Sequence, residues 1–142
     1  MARLVHDFIR WQHEQPRSKF QLAIVLPATQ QVIGSCGIRM ATGYAQQAEL
    51  GYELHPDYWG HGYATEAALS LLAFGFQTLP LQRIWAQCIA EHTASARVLE
   101  RLGMRYTQRL RQHTLMQNRW WDMLVYTLDR TEWQEHAVTG HA

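Results

Sequence analysis

The stretch Tyr58-Trp59-Gly60-His61-Gly62-Tyr63-Ala64-Thr65-Glu66 holds the residue types in this chain that most directly suggest chemistry. It follows a strand-like run and precedes a helix-like one. Two glycines, with an alanine two positions after the second, let the loop turn sharply and aim consecutive backbone N–H groups at one point. The helix beyond adds the positive end of its dipole, so the segment suits an anion, and a pyrophosphate is the anion most easily fitted. An ordinary strand-to-helix turn would use the same residues. No Gly-Lys-Ser/Thr follows, which argues against a P-loop. Nor does the loop open an early strand–helix unit with a later acidic ribose ligand, as a dinucleotide fold would.

Other chemistries find less support. Eight histidines raise the question of a metal. His6 and His13 are seven apart on one helical face, too far to share an ion, and His136 and His141 sit near the end of the chain. No zinc-like ligand spacing occurs, so scattered surface histidines are the better reading and no metal is expected. Cys36 and Cys88 lie in apolar strand-like runs, where free buried thiols are expected. The formal net charge is +1, with Lys and Arg spread along the chain rather than gathered in a basic stripe, so no nucleic-acid partner is expected. No apolar run approaches the roughly 20 residues of a membrane span, and no leader pattern opens the chain. No membrane partner follows, and a cytosolic (cytoplasmic) protein is the simplest expectation. The six tryptophans read as core and interface material rather than a base-stacking platform.

The elements that must position the loop follow from periodicity. With 142 residues, 47% apolar and 18% charged, one domain with a proper core is expected. Leu4, Val5, Phe8, Ile9 and Gln12 give helical spacing with no capping residue before it, as though the chain begins in the middle of something. Phe20, Leu22, Ile24 and Leu26 alternate as a strand, residues 27–31 turn, and 32–40 and 48–55 are further strands joined by a polar loop over 41–47. Residues 64–78 form a helix with Ala67, Ala68, Leu71, Leu72 and Phe74 as its apolar stripe. A strand over 83–90 comes next, then a helix over 93–102 closed by Gly103, then strands over 104–111 and 120–128. Residues 134–142 read as a frayed tail, leaving one domain over 1–133. The strand–loop–helix–strand unit over 48–90 should join parallel strands by a crossover, and the remaining strands should be antiparallel. The expected fold class is mixed α/β, with helices on both faces of one mixed sheet.

Two segments together carry a family likeness. Ala48-Glu49-Leu50-Gly51-Tyr52 leads into the glycine loop, and Arg97-Val98-Leu99-Glu100-Arg101-Leu102-Gly103 forms the later helix. With the ending Trp121-Asp122-Met123-Leu124-Val125-Tyr126 and Glu132-Trp133, the chain resembles the GNAT acetyltransferases. Within them it looks most like the Rim-type branch, the ribosomal-protein N-terminal acetyltransferases. Relatives of this type carry a further strand and helix ahead of the helix that opens this chain, so a shortened member or a truncated reading frame is expected. The resemblance implies a sheet with splayed parallel strands and transfer of acetyl from acetyl-CoA to a primary amine by direct attack.

By similarity, backbone N–H groups from Trp59 through Gly60, His61, Gly62, Tyr63, Ala64 and Thr65 hold the pyrophosphate, and the pantetheine arm pairs with backbone near Leu54. Glu49 and Glu53 share a face of one strand, and either can serve as the base for the incoming ammonium or simply face solvent. Glu49 is favoured slightly. Leu99 stands where many members place the tyrosine that protonates the departing thiolate. Ser95, in the first turn of that helix, is the nearest hydroxyl, with helix capping as its alternative role. His92 stands where relatives usually show an Asn that contacts cofactor backbone or caps the helix, a role a neutral His imitates in part. His61 stands where Lys is common and faces a phosphate or solvent, and Arg101 faces either a 3′-phosphate or solvent. Trp120 and Trp121 point to opposite faces of their strand, near the acceptor or a homodimer contact. The acceptor is a peptide N-terminus or a small amine such as a polyamine or an antibiotic. A non-catalytic acyl-CoA-binding or scaffold protein of the same fold, or a pure interaction domain, is the alternative.

Overall fold

The structure, a computed structural model, describes residues 19–40 and 46–138. The helix expected at the start of the chain, most of the loop over 41–47 and the last four residues lie outside these. Three strands come first, β1 (Lys19–Leu26), β2 (Gln31–Met40) and β3 (Gln47–Leu54), each antiparallel to the next. The β1–β2 turn falls at residues 27–30, where Gln30 adopts a left-handed φ of 59° and donates its N–H to the Leu26 carbonyl at 2.8 Å. A single 3-10 turn, Pro56–Tyr58, separates β3 from α1 (Tyr63–Gln77). Strand β4 (Arg83–Ile89) lies parallel to β3, α2 (Thr93–Arg101) follows, and the hairpin of β5 (Arg105–Met116) and β6 (Arg119–Asp129) completes the sheet. Strand order is β1-β2-β3-β4-β6-β5, and β3–β4 is the parallel pair among these neighbours.

Alternation decides which face is apolar. Ile38 stands opposite Leu50, Ala48 beside Ile84, and Ile84 opposite Leu128, so these residues share one side of the sheet. All are at most 2% exposed. Leu71, Leu72 and Phe76 of α1 and Leu99 of α2 join them in one cluster, and each such side chain contributes roughly 1.5–3 kcal/mol of burial. Helix α1 sits close to the strands because position 75 is glycine. A Cβ there would lie 2.8 Å from Ile84 Cδ1 and 3.1 Å from Ile38 Cδ1.

Two elements run longer than local pattern implies. The strand expected over 104–111 continues to Met116, because Gln117 and Asn118, both left-handed with φ of 53° and 58°, close a two-residue hairpin. The stretch expected to fray from residue 134 is helical as far as Val138, within α3 (Arg130–Val138). Asp129 precedes that helix, and Glu132 reaches back to accept the Asp129 N–H at 3.0 Å, one half of a capping box. Trp133 then packs against the core beside Phe76, ring centroids 5.5 Å apart. The signal was Asp129-Arg130-Thr131-Glu132, a start pattern whose apolar follow-up is short, Trp133 and then Ala137-Val138.

Candidate active site

Strands β3 and β4 part company. They are in register over Gln47↔Arg83, Ala48↔Ile84 and Glu49↔Trp85, yet β3 runs on to Leu54 and β4 to Ile89. Their outer edges stay paired, β3 with β2 to Gly34↔Leu54 and β4 with β6 to Ile89↔Met123. A fork therefore opens beyond Glu49 and Trp85. The His55 N–H donates to the Ile33 carbonyl on the β2 side, so alternation turns the backbone groups of Leu50, Tyr52 and Leu54 the other way, into the fork.

The glycine loop stands at the mouth of this fork. Gly60 and Gly62 have φ of 80° and 78°, a region L side chains rarely adopt, and a Cβ on either would meet nothing within 4 Å. Both glycines thus keep open ground in front of the loop. The first bond of α1 runs from the Glu66 N–H to the Gly62 carbonyl at 3.0 Å, which leaves the N–H groups of Tyr63, Ala64 and Thr65 free of helical acceptors. Trp59 plays a different part from the one expected. Its backbone N–H is taken by the Pro56 carbonyl at 3.2 Å, closing the 3-10 turn. Its indole donates to the Leu54 carbonyl at 2.7 Å, which places the ring beside the fork and gives one donor to the backbone expected to lie along pantetheine. The His61 ring is held within its own loop, 3.1 Å from the Trp59 carbonyl and stacked on Tyr63 at 5.4 Å between centroids.

The two glutamates separate. Glu49, half-buried at the base of the fork, accepts a hydrogen bond from Gln87 Nε2 at 3.3 Å, with Arg39 as its cross-strand neighbour. Glu53 is exposed further along the same face. Ser95 lies on the opposite side. Tyr52, on the face shared with Leu50, donates its hydroxyl to the Ser95 carbonyl at 3.4 Å, bridging β3 and the first turn of α2. Ser95 is not the capping residue: His92 holds that position and makes no side-chain cap bond. The exposed His92 ring instead stands 6.4 Å from Trp121, while Arg119 lies 3.8 Å over the Trp121 ring. Trp121 is half-buried and Trp120 exposed. Leu99 is a core residue at 1% exposure, and Arg101 is exposed at the end of α2.

Local electrostatics favour neutral groups on the helix side. Burial pushes the Tyr52 phenol up, partly offset by its bond to Ser95. Burial also raises the Cys88 thiol, and that of Cys36 to about 11, so neither is an activated nucleophile. Among the described residues, no three His, Cys, Asp or Glu side chains gather as a metal site. No described helix is long and apolar enough to cross a membrane. Two site residues escaped sequence reasoning, Gln87 and Tyr52. Tyr52 lies within the quoted motif, but nothing local marks Gln87.

The family described as acetyltransferase (GNAT) domain matches residues 2–105, a span that includes the fork, the cradle and both glutamates. The chain belongs to the GNAT acetyltransferase family. Among relatives, it is 34% identical over 113 residues to the uncharacterized N-acetyltransferase p20 of Bacillus licheniformis, covering 80% of this chain and 64% of that one. The chain thus spans less than two thirds of that relative's length. In fold, this GNAT chain is similar to a spermidine N-acetyltransferase of Vibrio cholerae, with a TM-score of 0.82 and 16% identity over 96% of this chain and 79% of that one. It is also similar to a ribosomal-protein-S5-alanine acetyltransferase of Vibrio fischeri, with a TM-score of 0.81 and 21% identity over 93% and 71% of the two chains.

Proposed function

We propose that this GNAT chain transfers the acetyl group of acetyl-CoA to a primary amine by direct attack. The fork carries the reading: parallel strands that part after three paired residues, with a glycine cradle at the mouth and a carboxylate at the base. The open β3 edge at Leu50 and Tyr52 offers backbone groups to an amide-bearing arm, and the N–H groups from Gly60 to Thr65 suit a pyrophosphate. Bound acetyl-CoA would supply the activated acetyl group. Holding an amine in line with it is worth roughly 7–11 kcal/mol, the largest share of the work asked of the chain. Glu49 accepts the proton of the incoming ammonium, which frees the nitrogen lone pair. Ser95, on the other side of the fork, offers a hydroxyl to the departing sulfur. A thiolate of pKa near 8.5 is also a fair leaving group unaided.

The acceptor is a peptide N-terminus, as a Rim-type enzyme would use, or a small amine. The names of the two structural neighbours represent both classes. Calorimetric titration of the purified chain with acetyl-CoA, beside a Gly62→Trp variant, tests the cradle. The parent should bind and the variant should not, while circular dichroism shows it folded. A side chain at this left-handed φ strains the backbone by roughly 1–3 kcal/mol, so the fold should survive. No binding by the folded parent overturns the reading. Turnover is then sought with spermidine and with an alanine-initiated peptide. Binding with no turnover of any amine would point to a non-catalytic acyl-CoA-binding protein.

A further inference from the structure

Gln87 lies two residues beyond the last β4 position paired with β3, on the face of the fork that carries Glu49. Its orientation follows from donor logic. A carboxylate only accepts, so the amide must turn its Nε2 toward Glu49 Oε2, as it does at 3.3 Å. The amide oxygen, the other end of the same planar group, is then left to find a donor of its own. This Oε1 is buried and, among the described residues, has no hydrogen-bond partner, and it is the buried side-chain polar atom of which that is true. Native proteins keep few such atoms, because an unpaired buried acceptor is destabilising.

We infer that Gln87 Oε1 and the Glu49 carboxylate form a two-acceptor seat for the ammonium group of the amine substrate. This rests on the acetyl-transfer reading above and deepens it. An ammonium carries N–H donors and no acceptor, so it complements acceptors on two adjoining side chains. One proton passes from the ammonium nitrogen to the Glu49 carboxylate, and the N–H bonding pair becomes the nucleophilic lone pair. Gln87 stays neutral throughout. It holds a remaining N–H of the amine while its own Nε2 holds Glu49, so one side chain fixes both partners of the proton transfer. A glutamate alone would attract any cation. The amide oxygen adds a demand for N–H groups, which quaternary ammonium ions lack.

The test uses the full chain labelled with nitrogen-15 and follows the Gln87 side-chain amide by NMR, assigned by its loss in a Gln87→Leu variant. Methylammonium, added up to the tenth-molar range, should shift this signal saturably, and tetramethylammonium at equal ionic strength should not. The backbone amides of Glu49 and Trp85 should report methylammonium binding about tenfold weaker in Gln87→Leu than in the parent. Absence of a saturable shift in the parent, or the same shift with tetramethylammonium, overturns the inference without need of any variant. Acetyl-CoA titration of the same sample separates the two readings. Binding of acetyl-CoA without the methylammonium response removes the amine seat alone, whereas failure to bind acetyl-CoA removes the function on which it rests.

Discussion

Glu49 and Glu53 share a strand and a face, yet their surroundings set them apart. Glu49 is half-buried where β3 and β4 part and is held by Gln87, whereas Glu53 is exposed toward the open end. A fixed carboxylate near the reacting atoms is the better base, and general-base catalysis is typically worth 10²–10⁴-fold. Glu49→Gln is expected to lower kcat by about 100-fold or more with acetyl-CoA affinity unchanged, and Glu53→Gln only a few-fold. Steady-state rates at saturating acetyl-CoA, with calorimetry beside them, check this. Equal losses at both positions would remove Glu49 from the role. The sequence showed that the two share a face. It did not distinguish them, because the distinguishing partner lies 38 residues away on another strand.

At the scale of elements, α1 must bring its N-terminus to the mouth of the fork while packing flat on the sheet. Gly75 permits the second requirement. Replacing a helix-interior glycine with alanine ordinarily stabilises by about 1 kcal/mol. Here the new methyl would press on Ile84 Cδ1 at 2.8 Å, and on Ile38 and Leu81 just beyond. Overpacking of this kind costs roughly 1–3 kcal/mol, so the steric effect should win. Gly75→Ala is expected to lower the urea midpoint with little change in m-value. A raised midpoint would mean that the side-chain ends yield freely. The apolar stripe of α1 was readable from its 3.6-residue period. The need for glycine at 75 was not, since the crowding atoms come from other elements.

Across the whole molecule, one charged cluster ties β4, β5, β6 and α3 together. Asp129 accepts from Arg83 Nε at 2.7 Å and pairs with Arg105 at 3.2 Å, while Arg105 also pairs with Glu132. The bond from the Arg83 guanidinium holds the Asp129 carboxyl below the usual carboxylate range. A depressed folded pKa contributes stability that is present above the unfolded value, near 3.9, and is lost as pH falls through the folded value. Asp129→Asn should therefore lower the melting temperature at pH 7 by the equivalent of about 1 kcal/mol, since much of the cluster is solvent-screened. Scanning calorimetry should show the gap between variant and parent closing as pH drops below about 4. A gap that does not depend on pH would assign the effect to packing.

What the sequence determined by itself is whatever depends on near neighbours. Alternation gave the strands, the helical period gave α1 and α2, and the two glycines marked the loop, because each rule acts within a few residues. Those same rules cut β5 short at residue 111 and let the second half of α3 pass as a tail, where the turn at Gln117-Asn118 and the reach of Glu132 to Asp129 carried a weaker local signal. Tertiary structure alone decided where β3 and β4 separate, that Trp59 closes on Leu54, that Tyr52 meets Ser95, and that Gln87 meets Glu49. Register and divergence of parallel strands are settled by what packs beneath them and pairs outside them, and those partners lie dozens of residues away along the chain.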